Sequence, residues 1–310
     1  MRRQESKTTT DLDSLVLNAQ SRYLERCAPG YRTWRARWFG GTTQIIELGA
    51  GPPLLLVHGG MGEAFQWGPI LSSLAQRHRV LAVDRPGHGL ADPFDYRGID
   101  LLSHARQFLG DIIKVINISS LPIVANSMGG LWSVSFALSE PDRVQRLVLV
   151  GAPAGIKRAQ PPMALRLGTL PVLKWIAHSL MRRPTRNGVR NFWKQILVAH
   201  PERLEDDFLD LTVASQARNV ASWITLIERT IDSGGLKPEF VLGERWQQVM
   251  VPTTMVWGEK DAFGMLEDAE AIAASNANIR VVRIPDAGHA PWFDQPEQVV
   301  KAIESALDAT

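Results

Sequence analysis

A chain of 310 residues, 45% hydrophobic and 21% charged with a net charge of +2, can bury a large core and carry one sizeable insertion. Its pI near 8.8 comes without the Lys/Arg block of a nucleic-acid binder, and no apolar run is long enough for stable membrane insertion. A single cysteine, Cys27, excludes an internal disulfide framework, and no apolar stretch follows Arg2 and Arg3 as in a secretory signal, so a cytoplasmic location is expected.

Residues 1–9 are polar, and Thr10 with Asp13 three positions later reads as a helix N-cap and its partner. Leu12, Leu15, Val16, Ala19 and Tyr23 recur at helical spacing, which predicts a helix to about Arg26 before Ala28-Pro29-Gly30 breaks it. This extension, residues 1–30, is expected to dock on the main domain with Cys27 half-buried. Residues 34–39 and 43–48 flank Gly40-Gly41 and read as a hairpin. Leu54-Leu55-Leu56-Val57 is a continuous apolar strand of the buried, parallel kind.

His58-Gly59-Gly60-Met61-Gly62 follows that strand. Glycines there let the backbone approach a partner closely, so a free N–H near Gly60 or Met61 is a candidate oxyanion donor; a plain strand-to-helix turn is the alternative. His58 is expected to order this loop rather than move protons. A helix over 67–77 leads to the strand 80–83 and the glycine-punctuated turn Asp84-Arg85-Pro86-Gly87-His88-Gly89. Asp84 is expected to accept loop amides, and His88 to be structural. A helix over 103–116 covers the sheet.

The run Leu121-Pro122-Ile123-Val124-Ala125-Asn126-Ser127-Met128-Gly129-Gly130 takes a short apolar strand into a helix through a serine with small neighbours. Such a turn lifts the hydroxyl clear of the backbone in strained dihedrals and points the first helix amides, Met128 N–H in particular, at developing negative charge. Residues 146–150 form another buried strand. The alternation of strand and helix implies an α/β fold, a mostly parallel sheet with helices on both faces.

That rhythm stops after Pro153. Residues 154–243 show helical periodicity and no convincing strand, with pieces beginning near Met163, Asn187, Pro201 and Ser215. An insertion there would sit over the strand ends as a lid, between core segments 31–153 and 244–310. Its front is basic, with Lys157, Arg158, Arg166, Lys174, Arg182 and Arg183; a solvated helix face is the simpler reading, and contact with membrane or an anionic substrate the alternative. The sheet resumes at 252–257 and turns through Gly258-Glu259-Lys260-Asp261. A helix over 266–274 leads to the last strand, 280–284, whose arginines mark an edge. The final loop, Pro285-Asp286-Ala287-Gly288-His289-Ala290-Pro291-Trp292-Phe293, precedes a terminal helix to about Leu307.

Ser127, Asp261 and His289 each stand just past a strand, so all three would meet at one rim of the sheet, in the order nucleophile, acid, base. His289 would relay the serine proton and Asp261 would fix its tautomer. Gly60 and Met128 are the candidate oxyanion-hole residues; Met61, Asn126, Trp193, Arg218 and Trp292 are the candidate substrate contacts. No metal cluster or nucleotide fingerprint is present, so no cofactor is expected.

With these motifs the chain resembles the lidded α/β-hydrolases, which include esterases, cofactor-free haloperoxidases, epoxide hydrolases and carbon–carbon bond hydrolases. The resemblance runs over about 34–307 and is carried by HGG, DRPGHG, NSMGG, WGEKDAF and DAGHAPWF, with Ala125 where the elbow usually has glycine. It implies ester or related acyl hydrolysis of an apolar small molecule through an acyl-Ser127 intermediate. Asn126-Ser127-Met128-Gly129-Gly130 resembles the carbon–carbon hydrolases of vinylogous diketo acids, and Arg218 would stand in for their substrate-binding arginine. Those enzymes, however, have a His-Gly-x-Gly-Pro-Gly loop and a Trp after the histidine, where this chain has Met61-Gly62-Glu63 and Ala290. A ligand-binding receptor that turns over little is the alternative from another class.

Overall fold

A strand without polar residues, such as Leu54-Leu55-Leu56-Val57, is stable only where both of its faces are covered. The computed structural model, which describes residues 9–158 and 160–309, covers it with helices on each side. In chain order the elements are α1 (Thr9–Cys27), β1 (Arg32–Trp38), β2 (Gly41–Leu48), β3 (Pro53–Val57), α2 (Gly68–Leu74), β4 (Arg79–Val83), α3 (Leu101–Ile116), β5 (Leu121–Asn126), α4 (Ser127–Ser139) and β6 (Val144–Val150). After these come α5 (Met163–Leu167), α6 (Pro171–Met181), α7 (Arg186–Ile196), α8 (Asp206–Thr230), β7 (Ile231–Asp232), β8 (Gly235–Leu236), β9 (Thr253–Gly258), α9 (Leu266–Ser275), β10 (Ile279–Ile284), α10 (Pro291–Asp294) and α11 (Pro296–Asp308).

Eight strands form one sheet in the order β1-β2-β4-β3-β5-β6-β9-β10. The pairs β1·β2 and β2·β4 are antiparallel, and every pair from β4 to β10 is parallel. Alternate residues of the central strands feed two separate cores. Leu55, Leu81, Ile123 and Leu149 pack with α3 and α4, whereas Leu54, Val80, Val124 and Val148 pack with α1, α2 and α11. Strand β10 is the edge, and its Arg280 and Arg283 are exposed there. The carboxyl ends of β5, β9 and β10 therefore open on one rim, and the loops after them carry Ser127, Asp261 and His289.

Several sequence expectations shift. Helix α1 is already under way at Thr9, so Thr10 lies inside it rather than capping it; the rest of the polar opening segment, residues 1–8, lies outside the described residues. The helix docks on two things, not one. Tyr23 packs between Phe65 of the core and Phe208 of α8, with ring centroids 6.1 and 5.6 Å away. Burial pushes the Cys27 thiol on the same helix up to about 11, which keeps it protonated and inert.

Between β6 and β9 the chain forms four helices and the two-residue hairpin β7–β8, which is too short for any periodicity to show. Pro171 starts α6 at its first turn, while Pro201 opens only a three-residue 3-10 turn. Ser215 starts nothing; it lies in the middle of the 25-residue α8, where its hydroxyl bonds a buried carboxyl, that of Glu63, instead of capping a helix. Among the described residues no helix is long and apolar enough to cross a membrane.

Candidate active site

Strand β5 runs straight into α4, and the residue at the junction, Ser127, has φ 51°. A side chain in the left-handed region is strained and persists only where its surroundings dictate it. They do so here by close approach: a Cβ at Gly129 would overlap the carbonyl oxygens of Val57 and His58, and one at Gly59 would overlap Asn126 Oδ1. The first turn of α4 is thus held against the end of β3. No side chain caps this turn, so the Met128 amide has no intrahelical acceptor.

Asp261 and His289 are brought together across the rim. His289 Nδ1 lies 2.9 Å from both Asp261 carboxylate oxygens, with the two side chains 2% and 0% exposed. The carboxylate also accepts the Ala152 amide at 2.7 Å and the Phe263 amide at 2.8 Å. The Phe263 ring stacks on the imidazole, centroids 4.1 Å apart. Nε2, the other ring nitrogen, is buried without a hydrogen-bond partner among the described residues, so Ser127 Oγ is not bonded to it. Ser127 and His289 nevertheless line one cavity of about 110 Å³.

The loop after β3 is pinned from behind by a buried guanidinium. Arg85 Nη2 donates to the carbonyls of Gly59 and Gly60 at 2.5 and 2.9 Å, and its charge sits 4.8 Å over the Trp132 ring. Every peptide bond described is trans, so the amides of Gly60 and Met61 point away from those anchored carbonyls. Neither amide finds an acceptor among the described residues. His58 orders the same loop: it lies 2.9 Å from Gly59 O through Nδ1, and Nε2 accepts the Arg85 amide at 2.8 Å. Burial, and then the neighbouring Arg85, hold its pKa well below the ordinary histidine value, so it stays neutral. His88 lies between the Pro86 and Gly60 carbonyls, and burial lowers its pKa to about 3. Asp84 accepts the amides of Ala64 and Leu90 at 2.8 and 3.0 Å.

Of the proposed substrate contacts, Met61, Asn126, Trp193 and Trp292 line the cavity. Asn126 also ties the rim together, donating to Val150 O at 2.7 Å and His289 O at 3.3 Å. Trp292 is fixed by its Nε1–H on Gln66 O at 2.7 Å, and Trp193 wedges against Phe208 and Phe293. Arg218 is a correction. Its side chain is 6% exposed, ion-paired with Asp13 of α1, and donates to the carbonyls of Gly89 and Ala91. It clamps α8 onto α1 and the loop after β4, and does not line the cavity.

Sequence reasoning passed over Arg85, Phe263 and Glu63, although the first two sit inside motifs it singled out. Glu63 is wholly buried where that loop meets α8; its Oε1 accepts from Ser215, Asn219 and the Gly89 amide, while Oε2 has no partner among the described residues. Burial, reinforced by the nearby Asp84, pushes it up to about 8. An acid with a raised folded pKa binds its proton more tightly in the folded chain, so stability should fall as pH rises from about 4.5 to about 8. Glu63→Gln should flatten that slope in urea titrations at successive pH values; an unchanged slope would assign it to other groups.

A model described as the alpha/beta hydrolase family matches residues 54–302, from β3 through α11. The chain belongs to the alpha/beta hydrolase family. It is 25% identical over 262 residues to a pimeloyl-[acyl-carrier protein] methyl ester esterase of Nitrosomonas europaea, covering 84% of this chain and 98% of that one. It is 26% identical over 302 residues to a 2-hydroxy-6-oxo-6-(2'-aminophenyl)hexa-2,4-dienoic acid hydrolase of Metapseudomonas resinovorans, covering 94% and 96%. The fold is also that of carboxylesterase CesB from Bacillus subtilis, with a TM-score of 0.75 at 19% identity over 96% of this chain and 98% of that one. Proteins of one fold differ widely in what they do, so family membership fixes the fold, supports a hydrolase and leaves the substrate to the cavity.

Proposed function

We propose that this hydrolase cleaves carboxylic esters of apolar small molecules through an acyl-Ser127 intermediate. The observation that carries the reading is a strained serine at a strand-to-helix turn, sharing a cavity with a histidine whose far nitrogen is locked to a buried carboxylate. Ser127 Oγ attacks the ester carbonyl while His289 Nε2 takes its proton, and Asp261 stabilises the imidazolium. Met128 N–H, with the Gly60 or Met61 amide opposite, receives the oxyanion. The imidazolium then protonates the departing alkoxide, and a water molecule, deprotonated by His289, releases the acid. The serine-to-histidine hydrogen bond absent from the free enzyme would form as substrate closes the site.

The lining supports an apolar substrate. Among the described residues, none lining the inner cavity is acidic or basic apart from His289; Met61, Leu165, Phe192, Trp193, Leu226 and Trp292 dominate it. A second reading, carbon–carbon cleavage of a diketo acid, is favoured by the kinship with the Metapseudomonas resinovorans enzyme. Among the described residues the cavity offers no Lys or Arg for such a substrate's carboxylate once Arg218 is committed elsewhere. A fluorophosphonate should form one adduct, on Ser127, and competition between aryl esters and a yellow dienolate substrate should leave ester turnover dominant. Bleaching of the dienolate at the faster rate would install the second reading, and labelling at another residue would remove the first.

A further inference from the structure

Helix α6 is built inside out. Its polar side chains face the protein, where Lys174 Nζ reaches Glu228 of α8 at 2.6 Å and His178 lies 3.6 Å from the same carboxylate. Four of its large apolar side chains face away: Val172 is 85% exposed, Trp175 77%, Ile176 49% and Leu180 69%. Spaced by three and four, these residues make one stripe along the helix. Phe39 and Met250, also exposed, stand singly. Water does not stabilise such a stripe, and isolated surface apolar residues of the ordinary kind do not form one.

The charge around the stripe says what covers it. From residue 156 to residue 201 the chain has nine Lys/Arg and no Asp or Glu. Arg182 and Arg183 follow α6 directly, seven positions beyond Trp175 and Ile176, and neither has a carboxylate partner among the described residues. A second copy of this chain would bring like charge against like charge. An anionic lipid surface offers an apolar interior for the stripe and negative headgroups for the arginines.

The inner side of the same helix faces a second cavity. Ala177, His178 and Met181, with Arg183 just past the helix, wall a chamber of about 520 Å³. It shares Met61, Leu165, Phe192, Trp193, Leu197 and Ile227 with the chamber at Ser127. We infer that the α6 face docks on anionic lipid surfaces and that apolar esters pass from the bilayer through the outer chamber to Ser127. The docking half stands on α6 alone; the delivery half rests on the ester-hydrolase reading.

Full-length Ser127→Ala protein should sediment with phosphatidylcholine vesicles containing about 30% phosphatidylglycerol at least tenfold more strongly than with phosphatidylcholine alone, and high salt should remove the preference. Val172→Ser/Trp175→Ser/Ile176→Ser should lose that binding by roughly tenfold or more, as should Arg182→Glu, while both keep wild-type turnover of a soluble ester when made with Ser127 present. Equal sedimentation with both vesicles, or binding unchanged in the triple variant, would overturn the docking. So would a concentration-dependent dimer, seen by analytical ultracentrifugation, that the triple variant abolishes without any vesicle binding. Because Ser127→Ala reports docking without turnover, failure of the ester reading leaves the sedimentation result standing. Docking with no faster hydrolysis of vesicle-borne over dispersed long-chain ester overturns delivery alone.

Discussion

Ser127→Ala should abolish ester turnover, lowering kcat/KM by roughly 10⁴-fold or more, while the protein stays folded. The hydroxyl is the proposed nucleophile, and nothing else in the inner cavity replaces it: the chain's one cysteine lies on α1, outside the residues that line it. The structural cost should be small. Ser127 Oγ makes no hydrogen bond to His289, and alanine keeps the Cβ that the turn already accommodates at φ 51°. Stability should therefore move by no more than about 0.5 kcal/mol, as for substitutions that remove no packed or paired group. Turnover within tenfold of wild type, with the fluorophosphonate still bound, would end the acyl-Ser127 reading.

Asp261→Asn should cost ~10³- to 10⁴-fold in kcat, and it should also destabilise the fold. The carboxylate accepts three donors at once, from Ala152, Phe263 and His289 Nδ1. An amide has one oxygen to offer. Because both carboxylate oxygens lie 2.9 Å from Nδ1, the NH₂ that replaces either one can meet Nδ1 and force the imidazole proton onto Nε2, which can no longer take the serine proton. The Ala152 amide bonds Oδ2 and the Phe263 amide Oδ1, so in either orientation a buried NH₂ also faces a backbone N–H, a mispairing worth about 1–3 kcal/mol. Steady-state kinetics and urea melts on one preparation measure both. Adding Asp261→Asn to Ser127→Ala should lower turnover no further, because the residues act as a unit. A loss of less than tenfold in the single variant would assign Asp261 to holding the loops rather than to proton transfer.

The pieces legible in the sequence are those encoded by neighbours. The apolar run at 54–57, the serine between small residues and the glycine-marked loops each specify a local conformation. Asp286, like Asp261, stands between Ser127 and His289 in the chain, and the structure turns it to Lys260 and His200, 2.5 and 2.7 Å away. The single α8 was harder to see, because Ser215 looks like a cap until its burial beside Glu63 is known.

The sequence by itself determined the strand-helix alternation, the elbow and the order of the three rim residues, because strand period and turn chemistry act over a few residues. Only the tertiary structure decided what Arg218, Glu63 and Arg85 do. Arg218 was expected at the substrate and is found clamping α8 to α1; Glu63 and Arg85 gain their roles from partners on other elements. Those partners are far away along the chain, and no local pattern encodes them. Long side chains reach several carbonyls or carboxylates, and which ones they reach is set by how the inserted helices seat on the sheet, a packing outcome of the whole core.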